Sequence, residues 1–105
     1  MSRREDRLVA ELQRLAAEFL GLHAGPRSLI TVTDCILSNN SQRLQILISV
    51  LPETEERAAL AFVRRQLSEF ILFVHKHLRA GYLPQISFAL DAGEKHRQKI
   101  DKLLQ

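Results

Sequence analysis

The chain lacks tryptophan and has only one cysteine and four glycines among its 105 residues. A single thiol, Cys35, allows no disulfide within the chain and no cysteine cluster for a metal, which favours a reducing compartment. The four glycines do not have the spacing of a dinucleotide-binding loop or a P-loop. These shortages exclude disulfide-dense folds, thiolate metal centres and the glycine-loop nucleotide-binding folds.

Long apolar runs are also missing. No stretch approaches the roughly 20 apolar residues of a membrane span, and residues 1–7 are charged, unlike a signal peptide. We therefore expect a soluble cytoplasmic protein without a membrane partner. A length of 105 residues with a hydrophobic fraction of 46% suits one domain over residues 1–105.

The hydrophobic spacing predicts an α+β order of elements. A first helix is indicated by apolar positions at helical spacing, which are Leu8, Leu12, Leu15 and Phe19. Residues 29–37 are rich in β-branched side chains, and residues 44–50 alternate between apolar and polar. Joined by a polar turn, the two segments predict a β-hairpin.

The second half of the chain predicts a long helix, a third strand and a short closing helix. The helical stripe over residues 54–79 would form a rod about 39 Å long, which exceeds a core of this size. We therefore expect a kink or break, with Ser68 as the best candidate because a serine hydroxyl can bond to a backbone carbonyl. The third strand carries Ile86, Phe88 and Leu90, and the closing helix carries Ile100, Leu103 and Leu104.

Catalytic and metal-binding patterns are weak. Cys35 and the four histidines are not placed together by any sequence pattern, and a free cysteine is usually a small buried hydrophobe. His75 and His77 are two residues apart, so a helix directs them to different faces. We expect no enzyme activity, no metal, no cofactor and no small-molecule substrate.

Basic residues are the main candidate for function, although the net charge is only +3. Positioned arginines and lysines can contact RNA phosphates, whereas the alternative is that they only keep helix surfaces soluble. Rings exposed for base stacking are not evident, which favours recognition of folded RNA by its backbone or shape. The candidate RNA-binding residues are Arg3, Arg4, Arg7, Arg64, Arg65, Lys76 and Arg79, and a third basic group on the closing helix comprises Lys95, Arg97, Lys99 and Lys102.

The element order α-β-β-α-α-β resembles a KH-type RNA-binding domain of type II topology, but the Gly-x-x-Gly loop of such domains is missing. Segments 7–13, 30–34 and 46–50 resemble the first helix and first two strands of one family with that topology. Residues 82–88, Tyr-Leu-Pro-Gln-Ile-Ser-Phe, resemble its Tyr-x-Pro-x-Leu-x-Phe motif. In order and spacing, the chain thus resembles the ribosome-binding factor A family along nearly its whole length.

The chain departs from that family's pattern at the helix kink and before the tyrosine. The resemblance places an Ala-x-Gly helix kink where this chain has Gln66, Leu67 and Ser68. It also places an arginine directly before the tyrosine, where this chain has Gly81 with Arg79 two residues earlier.

The resemblance implies a factor that binds the immature small (30S) ribosomal subunit, contacts its 16S rRNA, assists rRNA processing and then leaves. We expect the protein to be a monomer. It also implies a role in growth in the cold. The matching contact residues would be the basic residues of the first helix and of the kinked helix pair. The alternative is a KH-like or ferredoxin-like protein–protein interaction module that binds no RNA.

Overall fold

The computed structural model describes residues 3–23, 25–38, 40–79, 81–93, 100 and 103–104. It confirms the predicted α+β, KH-like order of elements. The predicted closing helix lies mostly outside the described residues. The elements are α1 (Arg3–His23), β1 (Leu29–Ser38), β2 (Arg43–Leu51), a 3-10 turn (Glu53–Glu55), α2 (Glu56–Arg65), α3 (Leu67–His77) and β3 (Gln85–Leu90).

The three strands form one mixed sheet in the order β1-β2-β3. β1 and β2 are antiparallel, as a hairpin requires, with Leu29 opposite Leu51 and Ser38 opposite Arg43. β3 pairs in parallel with β2, so the chain must cross over between them, and α2 and α3 make that connection. The register of β1 shifts between Val32 and Asp34, which leaves one extra residue as a bulge.

The core lies between one face of the sheet and the helices. The alternation in β2 buries four side chains on that face; they are Leu44, Ile46, Ile48 and Val50. From the helices, the predicted stripes supply Leu12, Leu15, Phe19, Ala59, Val63, Phe70 and Val74. Full burial of each large apolar side chain contributes about 1.5–3 kcal/mol, so this layer is the main source of stability.

Phenylalanine rings connect the separate elements inside this layer. The centroids of Phe19 in α1 and Phe70 in α3 are 5.4 Å apart, and those of Phe70 and Phe88 in β3 are 5.8 Å apart. Both pairs are tilted, the arrangement that aromatic quadrupoles prefer. Phe70 therefore holds the first helix, the third helix and the last strand in one arrangement.

The long helical stripe is broken at Gln66. Its backbone angles are φ −86° and ψ 2°, outside the helical range, and its amide lies 3.1 Å from the carbonyls of both Phe62 and Val63. A break was predicted at Gln66, Leu67 and Ser68, with Ser68 preferred. The chain breaks at the first of these residues, and Ser68 lies inside α3 with its side chain exposed.

Helices α1 and α3 both end on a histidine. α1 continues through Gly21 to His23, and α3 ends at His77 because Leu78 is already extended (φ −139°, ψ 124°). In both helices the last histidine places Nδ1 within 2.9 Å of the carbonyl oxygen four residues earlier. Each imidazole also packs on the phenylalanine at that earlier position. Among the described helices, none is long and apolar enough to cross a membrane.

Candidate nucleic-acid interface

A groove of about 610 Å³ opens between α1, the β1–β2 turn and the segment that links α3 to β3. We call it the α1 groove. The linking segment reaches it because Leu78 leaves the helix in an extended conformation. The lining residues are Arg4, Glu5, Arg7, Leu8, Glu11, Leu37, Ser41, Leu78, Arg79, Gly81 and Tyr82.

Three leucines supply the apolar part of the groove. Leu8 comes from α1, Leu37 from β1 and Leu78 from the residue that follows α3. Each is half-buried and packs against the core, so the core holds its position. The groove therefore presents apolar surface on a rigid base.

Three of the predicted basic residues lie together at this groove. Arg4 and Arg7 are three residues apart on α1 and so share one face of the helix, while Arg79 comes from the linking segment. All three are exposed, and none forms an ion pair with another residue in the described part of the chain. Their guanidinium groups are thus available to an anion.

The two carboxylates of the groove are both engaged. Glu5 accepts a hydrogen bond from the hydroxyl of Ser41. Glu11 pairs with Arg14, whose Nη2 lies 2.9 Å from a carboxylate oxygen, while Nη1 of Arg14 lies 3.1 Å from Glu18. The hydrogen bond and the charge of Glu11 raise the pKa of the Arg14 guanidinium further above its ordinary value. Arg14 offsets the charge of Glu11, which leaves the lining with an excess of positive charge.

Tyr82 is a groove residue that sequence reasoning did not assign to the site. Its side chain is 58% exposed, contrary to the expectation that no ring is free for stacking. The ring belongs to no apolar stripe, because it lies between Gly81 and Pro84 in the irregular segment before β3. A ring that lies outside every periodic apolar pattern is not assigned to the core, and this feature of the sequence could have identified Tyr82 as a candidate.

The remaining predicted residues lie elsewhere. Nε and Nη2 of Arg64 are 3.4 and 3.3 Å from the carbonyl oxygen of Phe88, so this side chain connects α2 to β3. Arg65 and Lys76 are exposed at the ends of α2 and α3, and Arg3 is exposed in the first turn of α1. Gln66, Leu67 and Ser68 form the helix break and the start of α3, outside the groove lining.

The described residues give little support to a thiol enzyme or a metal centre. Cys35 is buried, and desolvation, followed by the charge of Asp34, raises the pKa of its thiol to about 11. A thiol in that state is a poor nucleophile at neutral pH. Within residues that the structure describes, no group of three or more His, Cys, Asp or Glu side chains could hold a metal ion.

Comparison with known proteins gives a consistent result. The sequence profile of the Ribosome-binding factor A family matches residues 4–104. A Ribosome-binding factor A from Syntrophobacter fumaroxidans is 31% identical over 107 residues, covering 97% of this chain and 92% of the relative.

A crystal structure and a model fitted into a cryo-EM map share the fold. The crystal structure of ribosome-binding factor A from Thermus thermophilus is 26% identical, with a TM-score of 0.71, over 82% of this chain and 93% of the other. A homology model of the Thermus thermophilus protein, fitted into the cryo-EM map of a 30S–RbfA complex, is 27% identical with a TM-score of 0.68. That match covers 79% of this chain and 90% of the other. From its profile match, its relatives and its fold, the chain belongs to the ribosome-binding factor A family.

Proposed function

We propose that this protein binds immature small (30S) ribosomal subunits through their 16S rRNA, assists a late step of maturation and rRNA processing, and then leaves. It does so as a monomer, without catalysis or a cofactor, and it supports growth in the cold. The observation that carries the proposal is the α1 groove, where Arg4, Arg7 and Arg79 converge without ion-pair partners among the described residues. Family membership and the 30S complex of the Thermus thermophilus relative support the choice of ribosomal RNA as the anion.

The mechanism is a shift between RNA conformations. A protein that binds one of two conformations more tightly increases the population of that conformation by the ratio of the two affinities. Moving an RNA from 1% to 99% in the productive form needs a ratio of about 10⁴. Cold stabilises RNA structures that compete with the productive one, so the contribution of such a factor grows as temperature falls.

Phosphate contacts supply much of the binding energy. Each phosphate neutralised by an arginine or lysine releases counterions. For each such contact, the base-10 logarithm of the affinity falls by about 0.7–0.9 when the salt concentration rises tenfold. Arg4, Arg7 and Arg79 are the central contacts, and the exposed Arg3, Arg65 and Lys76 extend the basic surface. Arg64 contributes less to phosphate binding, since its Nε and Nη2 already donate to the carbonyl oxygen of Phe88.

The test measures binding to immature and mature small subunits over a range of salt concentrations. A groove variant, Arg7→Gln with Arg79→Gln, is compared with a control, Arg27→Gln with Arg57→Gln, which removes the same charge from exposed positions outside the groove. We expect the groove variant to bind immature subunits more weakly and with a shallower salt dependence, by about 0.7–0.9 per lost contact. The control should bind like the unchanged protein.

Three results would reject the proposal: no preference for immature over mature subunits, a salt slope near zero, or equal losses in the two variants. Binding that is specific but independent of salt would favour the protein–protein module. The exposed pair Leu29 and Leu51, which face each other at the end of the hairpin, would then be the first surface to examine.

A further inference from the structure

We infer that the α1 groove holds one unpaired nucleotide, with its base against Tyr82 and the flanking phosphates against Arg4, Arg7 and Arg79. This inference rests on the proposed function and adds the RNA feature that the protein recognises. The volume of about 610 Å³ lies within the range of pockets that enclose a small ligand.

The ring of Tyr82 provides a face for the base. More than half of its surface is exposed, although it lines the groove. A base stacks on an aromatic ring whatever its identity, because every base has a π face. The groove should therefore accept any of the four bases with only modest preference.

The leucines of the groove favour an unpaired base over a paired one. Leu8, Leu37 and Leu78 can cover the surface of a base, but their side chains cannot replace the hydrogen bonds of a base pair. A base inside a duplex would have to leave its stack and its partner to reach them, which is unfavourable. A nucleotide that is already unpaired enters without that penalty.

The charges at the groove fit the backbone on either side of such a nucleotide. The lining contains three arginines and two carboxylates. Glu11 is paired with Arg14, and Glu5 accepts a hydrogen bond from Ser41. Arg4 and Arg7 lie on α1, while Arg79 lies in the linking segment. Arginines from two different elements can contact the phosphates that precede and follow the bound base.

This arrangement also provides a reason for release. A nucleotide that is unpaired in the immature subunit leaves the groove when it pairs in the mature one. The protein then retains only its phosphate contacts, which bind paired and unpaired RNA alike. Preference for immature subunits thereby follows from RNA pairing alone.

The experiment uses two RNA hairpins with the same number of phosphates, each carrying 2-aminopurine, either in an unpaired bulge or inside the duplex. The full chain has one tyrosine and no tryptophan, so its intrinsic fluorescence reports Tyr82 alone. We expect the unchanged protein to bind the bulged RNA about tenfold more tightly, with quenching of both Tyr82 and the bulged 2-aminopurine. Tyr82→Ala should remove that preference, whereas Tyr82→Phe should keep it.

Leu72→Ala is the matched control, because it truncates an exposed apolar side chain of α3 outside the groove lining. Melting temperatures check that every variant is folded. Equal affinity for the two RNAs, or equal losses on both RNAs with Tyr82→Ala, would overturn the inference. Weaker subunit binding by Tyr82→Ala without any effect on either hairpin would also overturn it and assign the groove to a protein segment.

The two proposals fail separately. If Tyr82→Ala binds immature subunits normally while the Arg7 and Arg79 variant does not, the nucleotide pocket is wrong and the proposed function stands. If the unchanged protein binds neither immature subunits nor either hairpin, both are wrong.

Discussion

The hydroxyl of Ser41 donates a hydrogen bond to the carboxylate of Glu5, which joins the β1–β2 turn to the first turns of α1. The two residues are far apart in sequence, and both line the α1 groove. Ser41 makes this contact from a left-handed backbone conformation, with φ 68°, next to Asn40 at φ 55°. The hairpin turn thus fixes one wall of the groove.

Two substitutions of Ser41 distinguish the contribution of its hydrogen bond to stability from that of its backbone conformation. Ser41→Ala loses the bond to a charged group and keeps a Cβ in the left-handed region, so the free energy of unfolding should fall by about 1.5 kcal/mol. Ser41→Gly loses the same bond but removes the Cβ, and should be about 1 kcal/mol more stable than Ser41→Ala. Denaturant unfolding of both variants measures the difference. Equal stabilities would show that the backbone conformation at residue 41 is not strained.

Thr33 connects the bulge of β1 to Asp91, the residue that follows β3. Its Oγ1 lies 2.5 Å from Oδ2 of Asp91, and the two residues come from opposite edges of the sheet. Thr33→Val keeps the branched shape and removes the donor, so we expect a loss of about 1–2 kcal/mol in unfolding free energy. Thr31→Val, at an exposed position in the same strand, should change stability by less than about 0.5 kcal/mol. Equal effects of the two substitutions would contradict a stabilising role for this bond.

Arg64 and Arg65 should respond differently to charge reversal. Arg64→Glu removes the donors near the Phe88 carbonyl and should lower the free energy of unfolding by about 1 kcal/mol. Arg65→Glu, at an exposed position without such a contact, should leave stability within about 0.5 kcal/mol. Thermal melts of the single variants check this. Arg65→Glu is accordingly the better variant for subunit-binding measurements, since a loss of affinity would not reflect a loss of folding.

The thiol of Cys35 should be protected in the folded state. A rise in its pKa from 9.0 to about 11 lowers the thiolate fraction at pH 8 by about a hundredfold. Iodoacetamide should therefore react slowly with the folded protein and rapidly in denaturant. A reaction as fast in the native state would show that the thiol is accessible.

The same pKa shift has a consequence for stability. Between pH 9 and about 11 the folded state keeps the proton and the unfolded state loses it, so stability should fall as pH rises through this range. Cys35→Ala should lack this part of the decline. Chemical denaturation at several pH values above 8 compares the two slopes, and parallel slopes would argue against the shift.

Much of the fold follows from periodicity. The alternation in β2 and the helical stripe of α1 each mark one buried face, and burial of these faces determines how the elements pack. The break in the long helix followed from its length, but its position did not. Local chemistry favoured Ser68, whereas the turn lies at Gln66, between α2, which contacts the sheet, and α3, which contacts α1.

Only part of the α1 groove could be predicted from the sequence. Arg4, Arg7 and Arg79 were predicted as basic contacts, but nothing in the sequence indicates that residue 79 comes near residues 4 and 7. That proximity depends on where α3 ends and how Leu78 departs from it. Tyr82 was overlooked because periodicity assigns rings to the core and says nothing about a ring in an irregular segment. The roles of all these residues in RNA binding stay predictions.

The parallel pairing of β3 with β2 also constrains the order of folding. The β1–β2 hairpin involves neighbours in sequence and can form early, but β3 reaches β2 only after the whole α2–α3 connection has closed a long loop. The segment before β3 carries Arg79 and Tyr82, so the α1 groove is completed only when this last strand has paired. In a nascent chain whose β3 has not yet emerged, the α1 groove is incomplete, so the groove itself is acquired only at the end of folding.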